Sequence, residues 1–174
     1  MGIDWLLIRD FLIDLLASTV TLSAPLIMAS IGGVFSERAG IVNIGIEGMM
    51  LMGSFVGVLF SHLTGNPWLG FFAGALAGGF MALLHAVASI RYHAEQVVSG
   101  VAINLMATAL TGFLLRAIFD RAGQTNRVPK LAYWSFPFLR KIPLIGDIFW
   151  RNTPPVYLAF LLVIVAQIVI FTTP

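Results

Sequence analysis

The stretch Ser36-Glu-Arg-Ala-Gly-Ile-Val-Asn-Ile-Gly-Ile-Glu-Gly48 lies between long apolar segments and combines charged and amide side chains with three glycines. A charge at the centre of a membrane helix costs about 2.5–3.5 kcal/mol on insertion scales. Irregular backbone at membrane depth is tolerated only where it is buried in protein or lines a watery cavity. At membrane depth, this stretch would therefore face a neighbouring helix or a solute pathway. At the membrane surface, it would be a short loop followed by an ordinary helix.

The composition is that of an integral membrane protein. Of the 174 residues, 59% are hydrophobic and 10% are charged, whereas about 25% are charged in an ordinary soluble domain. The net charge of +2 and the scattered basic residues do not favour nucleic-acid binding. The sequence contains no cysteine, and its three histidines are not spaced as metal ligands. We therefore expect neither a metal site nor a cofactor.

Five apolar segments are long enough to cross a membrane, at about 12–35, 41–62, 68–90, 97–119 and 155–171. An amphipathic start over residues 3–16 precedes the first, and Pro25 predicts a kink within it because proline removes a backbone N–H. The prediction is an all-α, polytopic membrane helix bundle with a broken glycine-rich segment near 36–48. We expect a single transmembrane domain over 1–174.

Polar and small residues recur along three of these segments. If the second is helical from Ile41, Asn43, Glu47, Met50 and Ser54 share one face. Small residues spaced four apart let membrane helices approach closely, which predicts packing roles for Gly70, Gly74, Gly78, Gly100 and Gly112. Asn104 lies on the same stripe, where it could bond to another helix or contact a ligand directly. Because these stripes need partners, we expect the chain to be the N-terminal half of a larger protein or to need companion chains.

Three stretches resemble the permeases of bacterial ABC importers of the branched-chain amino acid and ribose type, and most closely the branch that handles nucleosides or simple sugars. The specific one is Gly32-Gly-Val-Phe-Ser-Glu-Arg-Ala-Gly-Ile-Val-Asn-Ile-Gly-Ile-Glu-Gly-Met-Met-Leu-Met-Gly53. Gln96-Val-Val-Ser-Gly-Val-Ala-Ile-Asn-Leu105 and Ile142-Pro-Leu-Ile-Gly-Asp-Ile148 support it in the expected order. The resemblance covers essentially the whole chain.

The resemblance implies a multi-pass protein of the bacterial cell (inner or plasma) membrane that transports a small polar solute by alternating access. It also implies about ten spans in a full chain, with a cytoplasmic coupling helix beyond residue 174. The implied partners are an ABC ATP-binding subunit, a second permease subunit and an extracytoplasmic substrate-binding protein, all working at the lipid bilayer. The sequence contains no Gly-x4-Gly-Lys-Ser/Thr loop, so we expect no enzyme here and ATP hydrolysis on a partner subunit.

Two indications of membrane orientation conflict. The resemblance implies that residues 120–154 lie outside the cell and that the links around 36–40 and 91–96 are cytoplasmic. The 120–154 connection, however, holds six of the ten basic residues, namely Arg121, Arg127, Lys130, Arg140, Lys141 and Arg151. The positive-inside rule would place it in the cytoplasm. We follow the resemblance.

As pathway or gate residues, the sequence favours Asn43, Glu47 and Asn104. The two amides could offer donors and acceptors to hydroxyls or to a base edge. Glu47 could accept from hydroxyls, or it could hold the glycine-rich break in place by accepting from backbone N–H groups. The alternative function is an ion-coupled secondary transporter or channel, which also uses broken segments and intramembrane carboxylates. An intramembrane hydrolase is disfavoured, because a Ser89–His85 pair on one helix lacks an orienting acid.

Overall fold

A computed structural model of the chain describes residues 5–120, 123–125, 127–139, 142 and 145–172. The long helices are α1 (Trp5–Arg38), α2 (Ile46–Thr64), α3 (Pro67–Ala86), α4 (Gln96–Phe119) and α6 (Pro154–Thr172). A π-helical turn, Val87–Arg91, extends α3. The connection after α4 contains the short helix α5 (Ile145–Phe149) and two paired antiparallel strands, β1 (Trp134–Ser135) and β2 (Arg151–Asn152).

The five predicted spans are confirmed. Within the described part of the chain, five helices are long and apolar enough to cross a membrane: Leu7–Arg38, Ile46–Thr64, Pro67–Arg91, Gln96–Phe119 and Pro154–Thr172. The amphipathic start belongs to α1 from Trp5 onward, and residues 3–4 lie outside the described residues. Helix α1 continues through Pro25 without interruption. Local signals set the turn between α2 and α3, where Gly65 ends α2 with φ 68° and Asn66 caps α3 by accepting from Trp68 N–H.

The start of the second span was predicted wrongly. Helix α2 begins at Ile46 rather than at Ile41, so Asn43 is not part of a helical stripe with Glu47. The physical reason is local, because the Asn43 side chain accepts a hydrogen bond from Gly45 N–H at 3.1 Å. Such side-chain turns compete with helical hydrogen bonding. We call residues 39–45, between α1 and α2, the helix break.

The chain divides into two compact units, one formed by residues 1–31 and 131–174 and the other by residues 32–130. In the second unit, α2 and α3 pack antiparallel at very short range. A Cβ at Gly53 would lie 2.9 Å from Gly74 O, and one at Gly57 would lie 3.2 Å from Gly70 O. A hydrophobic cluster beside this contact joins α2, α3 and α4 through Met49, Met52, Met81, Ile103 and Ala107.

The five glycines expected to pack helices differ in their surroundings. An added Cβ would meet a neighbouring helix or the helix break within 3.4 Å at Gly70, Gly74, Gly78 and Gly100. At Gly112 it would meet no atom within 4 Å. No close approach in the described part of this chain therefore requires glycine at position 112.

In the first unit, a polar network secures the start of α6. The buried Asn152 accepts from Thr21 Oγ1 at 3.0 Å and donates through Nδ2 to Ile148 O at 3.0 Å. Its backbone N–H donates to the Tyr157 hydroxyl, which in turn donates to Phe149 O at 2.7 Å. An apolar cluster of Ala24, Val156 and Ala159 packs α1 against α6.

Candidate functional site

The helix break is irregular backbone that begins where α1 ends. Gly40 adopts φ 82°, a left-handed conformation that glycine takes without strain. The Ser36 hydroxyl donates to Ile41 O at 3.0 Å and bridges the end of α1 to the first residues of the break. The remaining backbone groups of the break need partners, and α4 supplies several of them.

Gln96, the first residue of α4, bonds to the beginning of the break. Its Oε1 accepts from Val42 N–H at 2.7 Å, and its Nε2 donates to Gly40 O at 3.3 Å. One side-chain amide therefore satisfies a backbone donor and a backbone acceptor. In the sequence, Gln96 was noted only as the first residue of a stretch that supports the family resemblance. Its role depends on a contact with residues more than fifty positions away, which spacing along one helix does not reveal.

Asn104 makes the equivalent pair of bonds at the other end of the break. Its Oδ1 accepts from Gly48 N–H at 2.7 Å, and its Nδ2 donates to Ile44 O at 3.1 Å. The first N–H groups of a helix lack partners within the helix, and Gly45 at the N-cap of α2 has no side chain to supply one. Asn104 thus caps α2 from a neighbouring helix. We call Gln96 and Asn104 the amide clamps.

Glycine allows the backbones to approach between the two clamps. A Cβ on Gly100, midway between them on α4, would lie 2.9 Å from Gly45 N. A Cβ on Gly48 would lie 2.9 Å from Asn104 Cα and 2.9 Å from Ile103 O. The break and the first turn of α2 therefore lie directly on the surface of α4.

The clamps also place the start of α2 along the length of α4. Gln96 and Asn104 are eight residues apart, so Gly48 lies level with a point about 12 Å from the start of α4. With 24 residues, α4 is about 36 Å long, against a hydrocarbon core of about 30 Å. If α4 is centred on a core of that thickness, the first turn of α2 lies inside the hydrocarbon region and not at its surface.

Glu47 is in that first turn, and its side chain is exposed in this chain. Among the described residues, its carboxylate has neither a hydrogen-bond nor an ion-pair partner. The amide of Asn43, in contrast, accepts from Gly45 N–H and contacts Met49 Sδ at 3.6 Å. Asn43 lies in the helix break, Glu47 follows it in α2, and Asn104 contacts it from α4. Asn43 and Asn104 use their polar atoms within the protein, whereas Glu47 does not. The alternative role for Glu47, in which its carboxylate accepts hydrogen bonds from the backbone of the break, is not seen among the described residues.

A separate polar group lies between α3 and α4. The buried His85 places Nδ1 3.0 Å from Ser99 Oγ, whereas His85 Nε2 and Ser89 Oγ are both buried without a partner in the described structure. The Ser89–His85 pair that a hydrolase would need is therefore not formed. Among the described residues, no three His, Cys, Asp or Glu side chains are grouped so that they could hold a metal ion.

Comparison with known proteins gives the family. Residues 15–174 match the model of the branched-chain amino acid transport system permease component. The nucleoside ABC transporter permease protein NupC of Lactococcus lactis is 45% identical over 166 residues, covering 91% of this chain and 52% of the relative. The guanosine ABC transporter permease protein NupQ of Bacillus subtilis is 42% identical over 168 residues, covering 90% and 51%. TsgC13 of Haloferax volcanii, which is named for glucose transport by an ABC permease, is 38% identical over 158 residues, covering 88% and 46%.

The chain spans about half the length of the two nucleoside relatives. No solved structure matches it. Its five apolar helices and its relatives make it a multi-pass protein of the cell membrane. The resemblance noted at residues 32–53 is thereby confirmed, and the chain belongs to the family of branched-chain amino acid transport system permease components.

Proposed function

We propose that this chain forms part of the permease of an ATP-driven importer that carries nucleosides or related sugars. The observation that supports the substrate class most strongly is the 45% identity to a nucleoside permease over 91% of this chain. The ATP-binding subunit, the second permease subunit and the extracytoplasmic substrate-binding protein are part of this proposal. The solute would pass through a pathway lined by this chain and its companions.

The helix break is the part of this chain that we assign to the pathway. A carboxylate inside the hydrocarbon layer that faced lipid would cost about 2.5–3.5 kcal/mol, so such groups usually face the protein interior or water. Asn104 holds Gly48, the residue after Glu47, level with a point about 12 Å along α4. Because Glu47 has no partner among the described residues, we assign a watery pathway as its surroundings. Asn43 and the amide clamps then act as positioning residues that fix the irregular backbone around it. In alternating access, helices repack around this point when the partner ATPases close.

Loss of uptake on gene deletion tests the substrate class. Cells lacking the gene that encodes this chain are expected to lose uptake of labelled guanosine and to regain it when the gene is restored. Excess unlabelled adenosine should compete more strongly than excess glucose, because the two nucleoside relatives are 45% and 42% identical to this chain and the glucose relative is 38% identical. Undiminished guanosine uptake in the deletion strain would contradict the nucleoside assignment.

Glu47→Gln is expected to reduce uptake at least several-fold while leaving the amount of assembled complex unchanged. The substitution keeps the size of the side chain and removes its charge, which is the property that a pathway carboxylate would contribute. Uptake and complex yield would be measured in the same membranes. Full uptake with an intact complex would remove Glu47 from the mechanism.

Labelling of Lys130→Cys tests the orientation that the family resemblance implies. Lys130 is exposed and lies in the connection after α4. We expect a membrane-impermeant thiol reagent to label it in intact cells, because this connection is assigned to the outside. Labelling that occurs only after the membrane has been opened would reverse the orientation and favour the positive-inside interpretation.

A further inference from the structure

We propose that Glu47 makes the pathway selective by charge, favouring neutral or cationic polar solutes and rejecting anionic ones such as phosphate esters. This inference rests on the proposed function, because it requires that the helix break line the pathway. It goes further by assigning a specificity role to one carboxylate. Under this proposal, a nucleoside or a free sugar passes, whereas the same solute carrying a phosphate group is repelled.

The first support is that the polar groups around Glu47 are already occupied. Asn104 uses both its Oδ1 and its Nδ2 on the backbone at Gly48 and Ile44, and Gln96 does the same further along the break. Asn43 accepts from Gly45 N–H. Glu47 is therefore the side chain at this site whose polar atoms remain open to a solute. A carboxylate accepts hydrogen bonds and donates none, so it suits solutes that present hydroxyl or N–H donors.

The second support is the low dielectric environment of the site. With α4 centred on the hydrocarbon core, the clamps hold Glu47 inside the hydrocarbon thickness, where the field of a charge is screened less than in bulk water. No basic side chain in the described part of the chain pairs with Glu47, so no described residue neutralises its charge by direct contact. The start of a helix also stabilises a negative charge through the helix dipole.

Ser54 provides a position from which this potential can be measured. It lies seven residues after Glu47 on α2, on the same face and about 10.5 Å along the axis, and it is exposed. Ser54→Cys is nearly isosteric. Leu63→Cys is the matched control, because Leu63 is also exposed on α2 but lies about 24 Å along the axis from Glu47.

The test compares modification rates of the assembled transporter by a cationic and an anionic methanethiosulfonate reagent of similar size. The protein carries Ser54→Cys with either Glu47 or Glu47→Gln, at low ionic strength and with any other cysteines removed. We expect the cationic-to-anionic rate ratio at position 54 to fall threefold or more on Glu47→Gln, because Coulomb's law gives about threefold at about 10 Å even in bulk water with weak screening. The ratio at Leu63→Cys should change much less, because the Coulomb energy falls with distance and is screened further over about 24 Å. Added salt should shrink the difference at position 54.

Each remaining outcome has a distinct meaning. Reaction at position 54 with a ratio that Glu47→Gln leaves unchanged would overturn charge selection, while the pathway assignment would stand. Failure of both reagents to modify position 54 in an assembled complex that modifies normally at position 63 would overturn the pathway assignment, and charge selection with it. Guanosine uptake by the parent transporter, measured separately, reports on the importer function whichever result is obtained.

Discussion

Gly74→Ala is expected to destabilise the helical bundle strongly, with loss of most of the folded protein from membranes. The new Cβ would lie 2.6 Å from Gly53 O and 3.3 Å from Gly57 Cα. Both are backbone atoms, so no side chain can rotate away and α2 must move as a unit. Overpacking of a tight interior typically costs about 1–3 kcal/mol, and we expect the upper part of that range here. Thermal unfolding in detergent would measure the effect.

Gly79→Ala on the same helix is the matched control. Gly79 is exposed, and a Cβ there would meet no atom within 4 Å. Alanine is a better helix former than glycine by about 1 kcal/mol in water, so this variant should be as stable as the parent or more so. Equal destabilisation of the two variants would show that the α2–α3 contact does not depend on close backbone approach at Gly74.

Asn104→Ala is expected to release the first turn of α2 and to reduce uptake sharply. It removes the acceptor for Gly48 N–H and the donor for Ile44 O at once. Interhelical hydrogen bonds in membrane proteins average about 0.6 kcal/mol and reach about 1.7 kcal/mol, so the loss of two should cost about 1–3 kcal/mol. The effect on uptake should exceed the effect on yield, because Glu47 would no longer be held in position.

Two further variants separate the parts of this prediction. Thr108→Ala removes an exposed hydroxyl that bonds only within α4, to Asn104 O, and should change neither stability nor uptake. Asn104→Asp keeps an acceptor for Gly48 N–H, but it places a carboxylate oxygen against Ile44 O and adds a charge within the span, so we expect a loss at least as large as that of Asn104→Ala. A fully active and stable Asn104→Ala protein would contradict the clamp interpretation.

The arrangement of spans was predictable from the sequence because its causes are local. Continuous apolar runs identify the five helices. Gly65 and Asn66 supply the turn chemistry between α2 and α3 in adjacent positions. The four-residue spacing of Gly70, Gly74 and Gly78 likewise places them on one face of α3, where the structure has its closest contact with α2.

The helix break was only half predictable, because its geometry depends on distant residues. Composition located an interruption near 36–48, but hydropathy continues through Ile41, Val42 and Ile44 and so favoured helix from Ile41. The true start of α2 reflects a side-chain turn at Asn43 and a cap supplied by Asn104, 56 positions beyond Gly48. No pattern within α2 carries that second signal. For the same reason, the sequence predicted that Asn104 bonds to another helix or contacts a ligand, but it could not identify which backbone groups Asn104 binds.

The most direct test of the account is the energy source for solute uptake. The assembled transporter, reconstituted in liposomes with its ATP-binding subunits and substrate-binding protein, would be assayed with labelled guanosine. We predict accumulation that requires ATP on the side of the ATP-binding subunits and persists when an uncoupler abolishes ion gradients. Accumulation driven by a proton gradient without ATP, and abolished by the uncoupler, would contradict the importer assignment and favour an ion-coupled carrier that uses Glu47.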